Sequence, residues 1–259
     1  MFREEIIRVF TGRSFYLAVL LGILASFIGI INYGYPGQFD DLVAIKAWMF
    51  AVASGGTAIF SIFAPLLSTL PFADSYVTDL KTGYLRSILM RTNKKQYIWT
   101  KLAVNALGGG LAVSLPMFIS LIFSFLFYKN DLPLDASLLG AFSTLGKYSP
   151  LLYALLLSAV GFLFGMGWAT FGLALSIMIH NRFLVLGLPL LIYIATNFVA
   201  AIMAAVLNIR ILIAFTPPST LAPFTVTVSK WWTVFSEIGV LLLISTIFFA
   251  WQSRKGEVV

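Results

Sequence analysis

The sequence predicts an all-α membrane protein. Its expected parts are six transmembrane helices, an N-terminal interfacial helix, a cytoplasmic helix between spans 2 and 3, and a broken re-entrant element before span 6. Three observations carry this reading. Only 10% of the 259 residues are charged and 60% are hydrophobic, against roughly 25% charged in a soluble domain. Apolar stretches near 14–32, 47–70, 102–128, 149–179, 183–206 and 231–251 match the twenty or so residues a helix needs to cross a hydrocarbon core of about 30 Å. The basic residues gather at the ends of those stretches. Lipid offers unpaired backbone groups no partner, so each span must be helical. The spans leave no room for a soluble domain of ordinary size, and 1–259 reads as one membrane domain.

The first dozen residues predict an amphipathic helix. Phe2, Ile6, Val9 and Phe10 share one face, with Glu4, Glu5 and Arg8 opposite. That pattern suits a helix lying in the inner interface. The first span follows a basic start, and no small-residue cleavage pattern follows it, so it reads as a retained anchor. Orientation follows from the loops. With both termini in the cytoplasm of a plasma-membrane protein, twelve basic residues face inward: Arg3, Arg8, Arg13, Lys81, Arg86, Arg91, Lys94, Lys95, Lys101, Arg182, Arg254 and Lys255. Five face outward: Lys46, Lys129, Lys147, Arg210 and Lys230.

The fourth span is long for a perpendicular crossing. At about 1.5 Å per residue it would reach roughly 46 Å, so tilt, a kink or projection from the membrane is expected. Its Gly161, Gly165, Gly167 and Gly172 are close-packing positions, with ordinary packing inside the subunit as the expected use. Residues 207–230 are apolar but carry Pro217, Pro218 and Pro223. Proline removes a backbone donor, so the stretch cannot span. It reads either as a re-entrant element shielded by protein or as a plain outer loop.

Net charge is +7, and topology explains it without nucleic acid. The chain has no cysteine, which excludes disulfides and thiolate metal sites. No metal site and no catalytic residue is expected. A Walker A pattern is missing. The nearest approach, Gly140 to Lys147, has five residues between its glycines and ends on Tyr148, where a hydroxyl is needed for magnesium. An intramembrane serine protease would have to use Ser54 and the sole histidine, His180. Those two fall about 20 Å apart in depth, where a general base needs about 3 Å.

The segment with the densest charge is 71–101. Val77, Leu80, Tyr84 and Ile88 recur at helical spacing, which predicts one helix over 75–90, capped by Asp74 or Ser75. Gly83 weakens its middle and needs a reason there, such as close approach of another chain. A second helix begins near Lys94 and runs into the third span. Lysines anchoring to headgroups and an apolar stripe lying on the membrane are the plainer readings of parts of this loop.

The segment DLKTGYLRSILMRTNKKQYIWTK resembles the cytoplasmic loop of ABC-2-type transport permeases. Asp79, Gly83, Ile88–Leu89, Arg91 and Lys101 occupy that family's acidic, glycine, aliphatic, basic and span-opening places. The resemblance extends to the whole chain as a single ABC-2-type transmembrane domain. It implies a coupling helix inserted into a groove on a separate nucleotide-binding ATPase subunit, which would hold the ATP and magnesium. It also implies pairing with a second permease copy or a related permease in the lipid bilayer. Tyr84, Leu85 and Ile88 would then anchor in the groove, Asp79, Lys81 and Arg86 would orient it, and Gly83 would lie at the contact.

Glu237 is an acidic residue inside a span, about 9 Å into the sixth. Intramembrane carboxylates are costly and often functional. Binding substrate, relaying a proton, pairing with another helix and reaching outer water are all open to it. Asn105, Ser114, Thr170 and Asn197 are further hydrogen-bonding or cavity-lining candidates. The function expected is therefore the membrane subunit of an ATP-driven exporter. The alternatives are an ion-coupled carrier using Glu237 and a non-transporting scaffold or immunity protein.

Overall fold

The computed structural model describes residues 1–34, 43–53, 59–129, 139–226 and 229–255. Among them there is no strand, only an isolated bridge between Val43 and Lys129. The helices are α1 (Phe2–Thr11), α2 (Arg13–Tyr33), α3 (Ala44–Ala53), α4 (Ile59–Thr69), α5 (Ser75–Lys81), α6 (Tyr84–Leu89), α7 (Lys94–Phe127), α8 (Ser143–Tyr148), α9 (Pro150–Leu175), α10 (Arg182–Leu207), α11 (Pro217–Leu221) and α12 (Trp231–Lys255). Among the described residues five segments are long and apolar enough to cross a membrane: α2, α7, α9, α10 and the Trp231–Gln252 part of α12. Leu17, Leu20, Leu24, Ile28 and Ile31 repeat at helical spacing on the outside of α2, as do Phe198, Ile202 and Val206 on α10. Such stripes are costly in water and suit a hydrocarbon surround.

The stretch expected as the second span forms two helices, α3 and α4, with residues 54–58, including Ser54, outside the described residues. α3 starts where the Ala44 amide donates to the Lys129 carbonyl at 2.9 Å. α4 ends where Gly172 of α9 packs on Thr69. Both lie along α2, with Gly29 against the Phe50 backbone and Gly22 against Pro116 and Leu67. Pro65 sits inside α4 and cannot supply the amide that the Ser61 carbonyl would normally receive. The buried Tyr193 hydroxyl of α10 donates to that carbonyl at 2.8 Å. A deficit made by proline in one helix is met by a tyrosine in another.

The centre of the bundle is the contact of α7 with α9, and small residues set its distance. A Cβ on Gly109 would sit 2.3 Å from that of Ala169 and 2.6 Å from the Ser68 carbonyl oxygen. One on Gly165 would sit 2.5 Å from the Gly109 carbonyl oxygen. Gly161 packs on Met117 and Gly167 on Leu241. These glycines serve packing within the chain, as expected. α9 opens with Ser149, whose side chain accepts the Leu152 amide at 3.3 Å, and with Pro150 in its first turn. It is shorter than the 149–179 expected. It closes at Leu175 after 26 residues, about 39 Å, which still exceeds a hydrocarbon core of about 30 Å.

Two further expectations change. Glu5 does not lie on the solvent face of α1; it is buried beside Val9, which packs on Gly108 of α7. The helix at 75–90 breaks into α5 and α6 at Gly83, whose φ of 72° is left-handed. That conformation disfavours a Cβ. No other atom lies within 4 Å of where the Cβ would be, so conformation explains this glycine within the chain. Asp74 precedes α5 without a side-chain cap bond. Between α10 and α12 the prolines break the chain as expected, into 3-10 turns at Arg210–Phe215 and Pro223–Thr225 around α11. Pro217, Ser219, Thr220, Leu221 and Ala222 are buried, and Leu221 joins the core of Met117, Tyr153 and Phe164.

Gly109→Leu should disrupt this packing by several methylenes, at about 1–3 kcal/mol or more. Gly187→Leu on α10, where no neighbour lies within 4 Å, should be tolerated. Thermal unfolding in detergent would show a lower midpoint for the first and little change for the second.

Candidate functional site

Lys101, near the start of α7, has no access to solvent, and neither has Asp79 of α5. The Lys101 Nζ lies 2.7 Å from Asp79 Oδ2 and 2.9 Å from Glu5 Oε2. It stands 4.5 Å above the Phe72 ring, whose face adds a favourable cation contact. The Arg8 guanidinium of α1 donates to Asp79 Oδ1 at 2.8 Å. The Tyr97 hydroxyl donates to Asp79 Oδ2 at 3.0 Å. Arg8 also approaches Glu5 at 3.7 Å and the Phe72 and Tyr84 rings at 5.7 Å each.

Two cations and two carboxylates make the cluster neutral. Neutrality decides its energetics. Burying each ion costs several kcal/mol of hydration, which only close pairing and hydrogen bonding offset. Burial also works against the Arg8 charge, but the hydrogen bond and attraction from Asp79, reinforced by Glu5, prevail and raise its pKa. Partial burial, then the Glu5 and Asp79 carboxylates, push the Tyr84 phenol upward, so it stays neutral at physiological pH.

The cluster joins three segments: α1, α5 and the start of α7. Beside it the chain presents a depression of about 490 Å³ lined by Arg8, Thr82, Gly83, Tyr84 and Ser87. Of the loop residues singled out by sequence, Lys81, Gly83, Tyr84 and Arg86 are exposed around this surface. Tyr84 is 44% exposed and the neighbouring Met90 82%. Leu85 turns inward into an apolar cluster with Tyr97, Ile98, Leu102, Leu173 and Phe249, and Ile88 packs partly against it. Asp79, expected as a charge orienting a partner, is held entirely inside the chain because Lys101, Arg8 and Tyr97 converge on it.

Sequence reasoning missed Glu5, Arg8, Tyr97 and Lys101 as a unit. Its signals were Lys101 standing against an apolar run and Glu5 with Arg8 one helical turn apart. His180 is exposed between α9 and α10. Thr170 donates to the Gly167 carbonyl of its own helix, and Asn105, a turn beyond Lys101, is buried with neither amide atom paired in the protein.

At the other end of the bundle stands Glu237. It is half-buried in α12, and its carboxylate accepts a hydrogen bond from Thr220 of α11. The broken element thus places a hydroxyl on the acidic group of the last long helix. Among the described residues no cluster of three or more His, Asp or Glu is placed to hold a metal ion.

Lys101→Met should cost about 3–5 kcal/mol, because it leaves two buried carboxylates against one arginine. Adding Asp79→Asn removes the excess charge and should recover part of that loss, with a coupling energy on the order of 0.5–3 kcal/mol in a double-mutant cycle. Unfolding midpoints of the two single variants and the double variant check this.

Comparison of the chain with family models, with curated proteins and with solved structures returns no match.

Proposed function

We propose that this chain is the permease subunit of an ATP-driven exporter, and that the surface around Gly83 is where a separate nucleotide-binding ATPase grips it. In this reading α3 and α4 together make a sixth crossing beside the five long helices, and both termini lie in the cytoplasm of the plasma membrane. Residues 210–225 are the re-entrant element. ATP and magnesium belong to the partner ATPase, and a second permease, identical or related, completes the transport path.

One observation supports this above the others. The exposed surface formed by Lys81, Gly83, Tyr84 and Arg86 is attached through Asp79 to both α1 and α7. A partner that pushes on a merely tethered loop moves only the loop. One that pushes on this surface displaces a helix bound by two charge-assisted contacts to the foot of a long apolar helix and by a third to α1, and such contacts are about twice as strong as neutral ones. Tyr84 offers an aromatic anchor, and Lys81, Arg86 and Arg91 offer positive charge around it for an acidic groove.

Affinity-tagged chain purified from its own host membranes should carry an ATPase subunit with a phosphate-binding loop. Gly83→Trp should reduce its recovery more than about tenfold, equivalent to roughly 1.4 kcal/mol. Gly83→Asn, which tolerates the left-handed conformation, should retain it. A transport-active particle without any ATPase, or one driven by an ion gradient that Glu237→Gln abolishes, would overturn the reading in favour of a secondary carrier.

A further inference from the structure

α10 and α12 splay apart over α9 and leave a groove of about 570 Å³ between them. Its floor is Trp168 and Phe171 of α9, and Phe215 and Pro217 of the broken element close one end. Val240 and Ile244 stand on its rim and are exposed on the apolar outer surface of the bundle, so the groove opens sideways. The volume lies within the ~300–1,000 Å³ range of sites for drug-sized ligands and far above the ~30 Å³ of a water.

The walls are mostly apolar, but the polar groups are placed unevenly. Glu237 lies at one position, its carboxylate oriented by the fully buried Thr220. The described lining contains this acidic group and no basic one. Ser245 lies eight residues further along α12, about 12 Å away and near the same face. It is 1% exposed, and its hydroxyl has no partner in the protein. A buried hydroxyl without a partner is costly and calls for an acceptor. Neither feature suits a groove filled only by hydrocarbon tails.

We propose that this groove binds a membrane-partitioned cationic amphiphile, with its ammonium on Glu237 and its chain running along α12 past Ser245. An ammonium supplies both the positive charge and the donors that the carboxylate lacks, in a place where low polarity strengthens the pair. The apolar chain replaces lipid against Trp168 and Phe171. An oxygen function along that chain would accept from Ser245. The site is a property of this chain alone and does not rest on the ATP-driven reading.

The test uses the purified full chain in nanodiscs and a dodecylamine probe carrying a photoactivatable diazirine in its tail. Cross-links mapped by peptide mass spectrometry should concentrate on 192–196 and 236–245. Excess dodecylamine should suppress them and dodecanol should not. Glu237→Gln should lower the yield at least about tenfold. Val240→Trp, at the exposed rim, leaves the carboxylate in place and should lower it similarly by filling the groove. Equal protection by dodecanol, undiminished labelling in both variants, or labelling spread evenly over the outer faces of α2 and α10 would overturn the proposal.

Discussion

The Lys101 ammonium is buried away from water, and the protein surrounds it with what water would supply: two carboxylates within 3 Å and an aromatic face. Those groups come from far apart in the chain. Glu5 is 96 residues away from Lys101, and Arg8 is 71 residues from Asp79. The cluster is therefore complete only when α1, α5 and the foot of α7 have met. Loss of any one charged member leaves an uncompensated ion in a dry place, which makes the assembly close to all-or-none. This constraint determines where the amphipathic α1 lies, which way α5 faces, and which residues of the loop remain outside. Movement of α5 away from α7 would separate buried opposite charges, so the three segments move as one body or not at all.

The architecture was legible wherever one physical rule acted alone. Apolar length located α2, α7, α9, α10 and α12, since lipid leaves the backbone no other choice, although α7 begins eight residues before its apolar stretch and α9 closes four residues short of it. Proline chemistry gave the interruptions at 217 to 223. What the sequence hid was the direction of a side chain where two rules compete. A carboxylate on a short amphipathic helix reads as solvated, and Glu5 would be, were Lys101 not opposite it. The period in Val77, Leu80, Tyr84 and Ile88 was genuine, yet Gly83 breaks it into two helices, and Leu80 and Tyr84 both stand exposed. Asp79 looked like a contact charge because nothing local marks it as buried. Its partners lie on other elements, and pairing at long range leaves no periodic trace.

The two polar places lie toward opposite ends of the bundle, yet α12 reaches both. Glu237 lies in its first half, beside the groove and α11. Phe249, about 18 Å further along, is buried with Leu85 and Tyr97 and meets the Tyr76 ring of α5 at 6.0 Å. A helix held at one end by the loop and lining a cavity at the other is a mechanical link with identifiable ends. The close glycine packing of α7 on α9 supplies the rigid frame against which such a link can shift. The sparse contact between α10 and α12 leaves room for it.

Backbone hydrogen exchange in wild-type protein and Lys101→Met tests the central claim most directly. If the buried lysine unites the three segments, amides of 2–11, 75–89 and 94–101 lose protection together in the variant, while those of the α7–α9 glycine contact keep theirs. Protection unchanged in α1 and α5, or lost uniformly through the bundle, would contradict it.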